Sequence, residues 1–194
     1  MGLAKQAKIL SKGQVEAALG YLATTRWPSR NRLIFLLSSK AGLRAKEIAS
    51  LTWRMLTDAR GRIGPAIYLE NAASKGRSGR VIPMSDELQA ALAEYAKTTI
   101  IASNGFLIET ERSNKISAQA VVNLFWRWYR EIGFEGCSSH SGRRTFITNS
   151  ARKISTVGGS LRDVQMLAGH SNLRTTQRYI EPNPEAQRKI VELV

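Results

Sequence analysis

Most of the chain carries apolar residues at the three- and four-residue spacing of amphipathic helices. In "SKGQVEAALGYLATT" the apolar positions are Val15, Leu19 and Leu22. The next run, "PSRNRLIFLLSSKAG", starts with Pro28 and stops at Gly42, residues that favour the first turn and the end of a helix. A short third helix is predicted in "RAKEIASL".

The pattern changes between residues 52 and 84. Three short apolar runs, "TWRMLT", "AIYLE" and "GRVIPM", are separated by the glycine-containing segments "DARGRIG" and "NAASKGRSG". Short apolar runs bounded by turn residues are typical of β-strands joined by tight connections. This segment is therefore predicted to form a three-stranded antiparallel meander.

The helical period returns at Ser85, a good N-cap that is followed by acidic residues suited to the positive end of a helix dipole. Further helical runs are "SAQAVVNLFWRWYREI", "SHSGRRTFITNSARKI", "SLRDVQMLAG" and "NLRTTQRYI", and the tail "PEAQRKIVELV" is compatible with one more. The predicted fold class is mainly α with a small three-stranded antiparallel sheet.

Charge narrows the class of partner. The 194 residues, 43% of them apolar, are enough for one compact domain. Lys and Arg number 29 against 15 acidic residues, a net charge of +14. Such an excess favours a nucleic-acid partner, because basic side chains displace the counterions condensed on phosphates. The alternative is a solvated basic surface.

Several chemistries are excluded by the residue inventory. The single cysteine, Cys137, cannot form an intramolecular disulfide or a cysteine-based zinc site. The aspartates Asp58, Asp86 and Asp163 are far apart in sequence, so no carboxylate cluster for a two-metal nuclease is indicated. The chain has neither a phosphate-binding P-loop motif nor a G-x-S-x-G elbow. No cofactor and no metal are expected.

No apolar run approaches the roughly 18 residues of a membrane span, and the N-terminus lacks a signal-peptide core. The expected location is the cytoplasm.

Two residue pairs have the i, i+3 spacing that places side chains on one helix face. His140 and Arg143, in "HSGRRTF", could combine proton transfer with phosphate binding. Arg44 and Glu47, in "AGLRAKEIASL", could form a carboxylate-oriented guanidinium. The alternatives are a first-turn histidine beside a surface arginine, and an ordinary surface ion pair.

Three single residues complete the candidate set. Lys75 lies in a predicted turn between two strands, where it could protonate a leaving oxygen. His170 follows a helix end and could donate to a phosphate, and Tyr179 lies nine residues later in a basic stretch. A phenol, with a reference pKa of about 10, needs neighbouring cations to become a nucleophile. Ordinary surface or packing roles are the alternatives for all three.

Taken together, these segments resemble the tyrosine recombinases, the phage integrase family. The order matches over roughly residues 12 to 181: Arg in a "GLR..E" motif, Lys in a hairpin, His-x-x-Arg, Gly-His, and Tyr nine residues later. The length is similar to that of the short recombinases that invert fimbrial promoters. The resemblance implies the catalytic-domain fold of that family and a site-specific DNA recombinase or integrase that needs neither metal nor ATP.

The resemblance also implies a role for each candidate. Tyr179 would attack the scissile phosphate and form a 3′-phosphotyrosyl link, while Arg44 and Arg143 hold the phosphate oxygens. Lys75 would protonate the leaving 5′-oxygen and His140 would act as acid and base. The remaining supporting residues would be His170, as a hydrogen-bond donor to the phosphate, and Glu47, behind Arg44.

The chain departs from the family pattern in two places. Arg144 stands where many members carry histidine. The second departure is at the N-terminus, where typical members carry a separate DNA-clamping domain and none is expected here. We assign residues 1–11 to an N-terminal extension, 12–181 to the catalytic domain and 182–194 to a tail. The tail either docks on a neighbouring protomer or folds back on its own chain. The expected partners are double-stranded DNA, further copies in a tetramer, and accessory DNA-bending or directionality proteins, with the protein associated with the nucleoid.

Two other functions fit the same residues. One is a DNA-binding accessory protein of this fold that does not recombine DNA. The other is a type IB topoisomerase-like enzyme, which relaxes DNA through related chemistry without strand exchange.

Overall fold

The computed structural model describes residues 7–74, 78–102, 104–180 and 184–192. In these ranges the chain forms nine α-helices and one two-stranded sheet. The elements are α1 (Lys12–Ala23), α2 (Pro28–Ser39), α3 (Ala45–Ser50), β1 (Ala66–Leu69), β2 (Arg80–Pro83), α4 (Asp86–Ala96), α5 (Ala118–Glu131), α6 (Ser141–Lys153), α7 (Leu161–Ala168), α8 (Leu173–Gln177) and α9 (Pro184–Val191).

Side-chain caps fix the first turns of several helices, among them the predicted Ser85 cap of α4. The Ser11 hydroxyl accepts from the Gln14 backbone amide, and the Gln14 side-chain oxygen accepts from the Ser11 backbone amide. The two bonds form a capping box at the start of α1. At the starts of α4 and α5, the hydroxyls of Ser85 and Ser117 each accept from the backbone amide three residues later. These contacts satisfy backbone N–H groups that a helix leaves without an internal partner.

The described part of the sheet has two strands rather than three. β1 and β2 are antiparallel, with Ala66 opposite Pro83 and Leu69 opposite Arg80. The expected first strand is instead a 3-10 turn at Trp53–Met55, flanked by single bridges. Met55 and Leu56 are adjacent and both buried, whereas a strand would point them to opposite faces. The prediction of a third strand is not confirmed.

The main core surrounds α2. Five consecutive residues, 33–37, are buried at 1% exposure or less, so this helix is enclosed on all sides. It packs against α1, α4 and α6, and Phe35 contacts Phe125 of α5. A smaller cluster of Ile147, Val164 and Ala168 joins α6 to α7. No helix in the described ranges combines the length and apolarity needed to cross a membrane.

The segment before α1 belongs to the packed structure. Leu10 is 3% exposed and lies in the main core. Its amide donates to the Thr145 hydroxyl at 2.8 Å, and the Lys8 amide donates to the Gly136 carbonyl. Packing therefore includes residues that the sequence assigned to the N-terminal extension.

Leu10→Ala should lower the free energy of unfolding by about 2–4 kcal/mol, because it removes a buried side chain and leaves a cavity in the core. Ile100→Ala is the matched control, since Ile100 is 86% exposed, and it should change stability by less than about 0.5 kcal/mol. Chemical denaturation measures both. If Leu10→Ala lost as little stability as Ile100→Ala, the segment before α1 would not be part of the core.

Candidate active site

Six of the seven candidate residues converge in one region of the described structure. Arg44 and Glu47 lie at the start of α3, and His140 and Arg143 at the start of α6. His170 follows α7, and Tyr179 follows α8. A cleft of about 340 Å³ is lined by residues that include His140, Arg143, Arg178 and Tyr179. Lys75 lies outside the described residues, so its role stays a prediction.

Arg44 is oriented by the carboxylate three residues later. The Arg44 amide donates to Glu47 Oε2 at 2.8 Å, and its Nη1 donates to Oε1 at 2.9 Å. The amide bond fixes the first turn of α3, while the side-chain bond directs a partly exposed guanidinium. The chain reaches this position through Gly42, whose φ of +65° is the left-handed conformation that glycine tolerates.

A second arginine binds the same carboxylate. Arg80 Nη1 and Nη2 lie 3.0 and 3.2 Å from the two oxygens of Glu47, which is fully buried. Burial alone would raise the pKa of Glu47, but the hydrogen bonds and charges of Arg80 and Arg44 outweigh it, so the pKa is lowered. Glu47 is therefore a buried anion between two guanidinium groups.

Sequence reasoning missed Arg80, although a signal for it exists. Arg80 and Ile82 alternate with the exposed Val81 along β2, so Arg80 shares the inward face of the strand with a buried residue. A charged residue on such a face indicates a buried partner of opposite charge.

Arg143 is buried among groups from three separate elements. Its Nη1 donates to the Gly42 carbonyl, and its Nη2 donates to the Ala168 carbonyl at 2.7 Å. The same Nη2 lies 3.0 Å from Nε2 of His170. Burial, with the nearby charge of Arg44, lowers the pKa of Arg143 to about 10, so the guanidinium is still charged at neutral pH.

The environment of His170 fixes its tautomer. A guanidinium only donates hydrogen bonds, so Nε2 accepts from Arg143. Nδ1 then carries the hydrogen and donates to the Thr176 hydroxyl, 3.0 Å away. Burial, with the charges of Arg143, Arg44 and Arg80, lowers the pKa of His170 to about 4. The imidazole is neutral at physiological pH.

Tyr179 follows α8 with its ring against this imidazole. The two ring centroids are 5.5 Å apart and the planes differ by 24°. The Arg144 guanidinium lies 6.0 Å from the phenol ring, and the Tyr179 carbonyl accepts from the Thr148 hydroxyl at 3.1 Å. Tyr179 is half-buried. These contacts hold its backbone and one side of its ring, and the side chain also lines the cleft.

His140 lies on the exposed side of the same cleft, at the N-cap of α6. Partial burial of its ring, with the charges of Arg143 and Arg44, lowers its pKa below the ordinary value for histidine. A neutral imidazole can accept a proton, and His140 lines the same cleft as the Tyr179 phenol.

The arrangement is built for an anion. Arg44 and Arg80 bind the Glu47 carboxylate and Arg143 lies near it, so three guanidinium groups face one carboxylate and positive charge is in excess. Charge of this kind stabilises the phosphorane-like transition state of phosphoryl transfer. No group of three or more His, Cys, Asp or Glu side chains that could hold a metal occurs in the described ranges.

Comparison with known proteins identifies relatives along almost the whole chain. The sequence profile described as "Phage integrase family" matches residues 8–186. Tyrosine recombinase XerA of Thermococcus kodakarensis is 32% identical over 187 residues, which cover 95% of this chain and 62% of the relative. Tyrosine recombinase XerD of Vibrio cholerae is 27% identical over 195 residues, 94% of this chain and 60% of the relative. The chain thus spans less than two thirds of the length of these relatives.

Solved structures share the fold. The crystal structure of XerA recombinase superposes with a TM-score of 0.73 at 21% identity, covering 100% of this chain and 66% of that one. The Tn1549 transposon integrase, in complex with a circular intermediate DNA, gives a TM-score of 0.75 at 20% identity, covering 100% and 68%. The mainly helical architecture with a small sheet is therefore the fold of these proteins.

Glu47→Ala should lower the free energy of unfolding by about 3–5 kcal/mol, because it leaves the largely buried Arg80 guanidinium without a carboxylate of opposite charge. Glu70→Ala removes the partner of Arg54 in an exposed ion pair and should cost less than about 1 kcal/mol. Urea denaturation near neutral pH compares the two. A small loss in both variants would contradict a structural role for the Glu47 carboxylate.

His170 should remain neutral until the pH approaches about 4, with no titration near 6.5. Because its folded-state pKa lies below the unfolded value, its contribution to stability is complete above pH 6.5 and is lost as the pH falls towards 4. NMR titration of the imidazole signals tests this, with His140→Gln used to assign the two histidines. An inflection of His170 near pH 6.5 would contradict the buried, arginine-bound geometry.

Proposed function

Because the chain belongs to the phage integrase family, we propose that it is a tyrosine-type site-specific recombinase that cleaves and rejoins double-stranded DNA. The observation that carries the proposal is the contact between the Tyr179 ring and His170, which is itself hydrogen-bonded to the buried Arg143. A phenol, an imidazole and a guanidinium in contact supply a nucleophile and phosphate-binding groups at one point.

In the proposed reaction, the Tyr179 oxygen attacks the scissile phosphorus. The bond to the 5′-oxygen breaks, which leaves a 3′-phosphotyrosyl link and a free 5′-hydroxyl. Arg44 and Arg143 hold the non-bridging oxygens, and His170 adds a hydrogen bond to the phosphate. One phosphoester replaces another, so the energy of the bond is kept and a 5′-hydroxyl from a second strand can reverse the step without ATP.

Proton transfer completes the proposed mechanism. His140, whose pKa is lowered by burial and by Arg143, would take the phenol proton during cleavage and return it during rejoining. Lys75 would protonate the leaving 5′-oxygen. Glu47 would keep the Arg44 guanidinium directed at the phosphate.

Assembly on DNA is part of the proposal. The net charge of +14 supports binding to a polyanion. We assign residues 12–181 to the catalytic domain and 182–194 to a tail that docks on a neighbouring protomer in a tetramer, supported by the exposure of Ile190 and Val191 on α9. Accessory DNA-bending or directionality proteins and association with the nucleoid belong to the same proposal.

Covalent trapping tests the function. The protein is incubated with nicked duplex fragments of the DNA that flanks its own gene and then denatured in SDS. Wild type should form a protein–DNA adduct, and Tyr179→Phe should form none, because phenylalanine lacks the nucleophilic oxygen. Tyr68→Phe, a change at an exposed tyrosine on β1, is the control and should match wild type.

The outcomes separate the three functions. An adduct with recombinant products supports the recombinase. An adduct with relaxation of supercoiled plasmid, but without recombinants, indicates a topoisomerase-like enzyme. DNA binding without any adduct indicates an accessory protein, and an adduct that persists in Tyr179→Phe would overturn the assignment of the nucleophile.

A further inference from the structure

Arg80 contacts two separate parts of the site at once. Its Nη1 and Nη2 bind both oxygens of Glu47, at 3.0 and 3.2 Å. Its Nε donates to the Leu167 carbonyl at 2.7 Å, and Nη1 also donates to the Ser78 carbonyl at 3.3 Å. The side chain is 7% exposed. A guanidinium with this many partners and so little solvent has one available position.

The contact with Leu167 pairs Arg80 with Arg143. Leu167 and Ala168 are the last residues of α7, and their carbonyls have no partner inside the helix. Arg80 takes the first carbonyl and Arg143 takes the second. The end of α7 is thus held by two arginines, one of them in the proposed catalytic set.

The turn after α7 is shaped around Arg80. Gly169 has a φ of +61°, and a Cβ at this position would lie 2.7 Å from Arg80 Nη1. Glycine is therefore required both by the backbone conformation and by the passage of the guanidinium. The next residue is His170, so the position of this imidazole depends on the same packing.

We infer that Arg80 is a positioning residue that keeps the Arg44–Glu47 pair and the turn carrying His170 in fixed relation to each other. The inference rests on the proposed function, since it concerns the geometry in which the scissile phosphate is held. Arg80 acts through Glu47 and the α7 carboxyl end and does not touch the phosphate itself.

A lysine at this position separates positioning from charge. Arg80→Lys keeps the positive charge, but one ammonium group cannot span two carboxylate oxygens and a carbonyl on another element. Arg80→Met removes the charge while keeping much of the volume. Arg54→Lys and Arg54→Met are the matched controls, because Arg54 forms an ion pair with Glu70 at 2.7 Å with 54% of its side chain exposed.

The first measurement is single-turnover cleavage of the fragment that traps wild type, well below the melting temperature of each variant. Arg80→Lys should cleave about 10–100-fold more slowly, because small misplacements of reacting groups have effects of this size. DNA affinity should stay within about threefold, since backbone phosphate contacts elsewhere dominate binding. The Arg54 variants should cleave at the wild-type rate.

Rate and amplitude distinguish positioning from a loss of folded protein. A merely structural role lowers the fraction of molecules that react but not the rate constant of those that do. A positioning role lowers the rate constant itself. Combining Arg80→Lys with Glu47→Gln should give less than the product of the two separate rate effects, because both act on the same contact.

A second measurement does not depend on DNA. The NMR signals of the His170 ring should move in Arg80→Lys and stay unchanged in Arg54→Lys. Wild-type rate constants in the Arg80 variants, with unchanged His170 signals, would overturn the inference. Absence of any adduct in wild type would overturn the proposed function instead, and the His170 signals would still test whether Arg80 holds the turn.

Discussion

The buried carboxylate of Glu47 is the interaction on which the rest of the site depends. Removing an anion from water is costly unless charged hydrogen-bond donors replace the lost hydration. Arg44 and Arg80 supply those donors, and the net effect is a lowered pKa despite complete burial. Since Arg80 lies on β2, 33 positions from Glu47 on α3, the carboxylate joins two elements that are distant in sequence.

Backbone carbonyls stabilise the arginines before any ligand arrives. The carboxyl end of a helix carries partial negative charge, and the end of α7 presents it to Arg80 and Arg143. The carbonyl of Gly42 contributes in the same way to Arg143. Like charges are thus held close together by dipoles that are fixed by the fold, which is the kind of preorganised environment that the proposed phosphoryl transfer requires.

Local rules predicted most helices and the Ser85 cap of α4, because such a cap involves residues only three positions apart. The i, i+3 pair of Arg44 and Glu47 was readable for the same reason. The absence of a strand at Trp53–Met55 could not be predicted in this way. A short apolar run fits both a strand and a buried 3-10 turn, and tertiary packing decides between them. Arg80 was missed because its partners lie 33 and 87 positions away.

The hydrogen bond between Arg143 and His170 has a polarity opposite to the one that the proposed role of His170, as a donor to a phosphate, requires. In this structure Nε2 accepts from Arg143, whereas a hydrogen bond from His170 to a phosphate, as proposed, needs a hydrogen on that atom. The Thr176 hydroxyl can either accept from Nδ1 or donate to it, so rotation about its Cβ–Oγ1 bond accommodates the tautomer in which Nε2 carries the hydrogen. The exchange of tautomers reverses the donor and acceptor roles of the two ring nitrogens, and the imidazole stays neutral. The Thr176 hydroxyl is thus a partner for either neutral tautomer of His170, so the ring can present an acceptor or a donor at Nε2 without a change in its net charge.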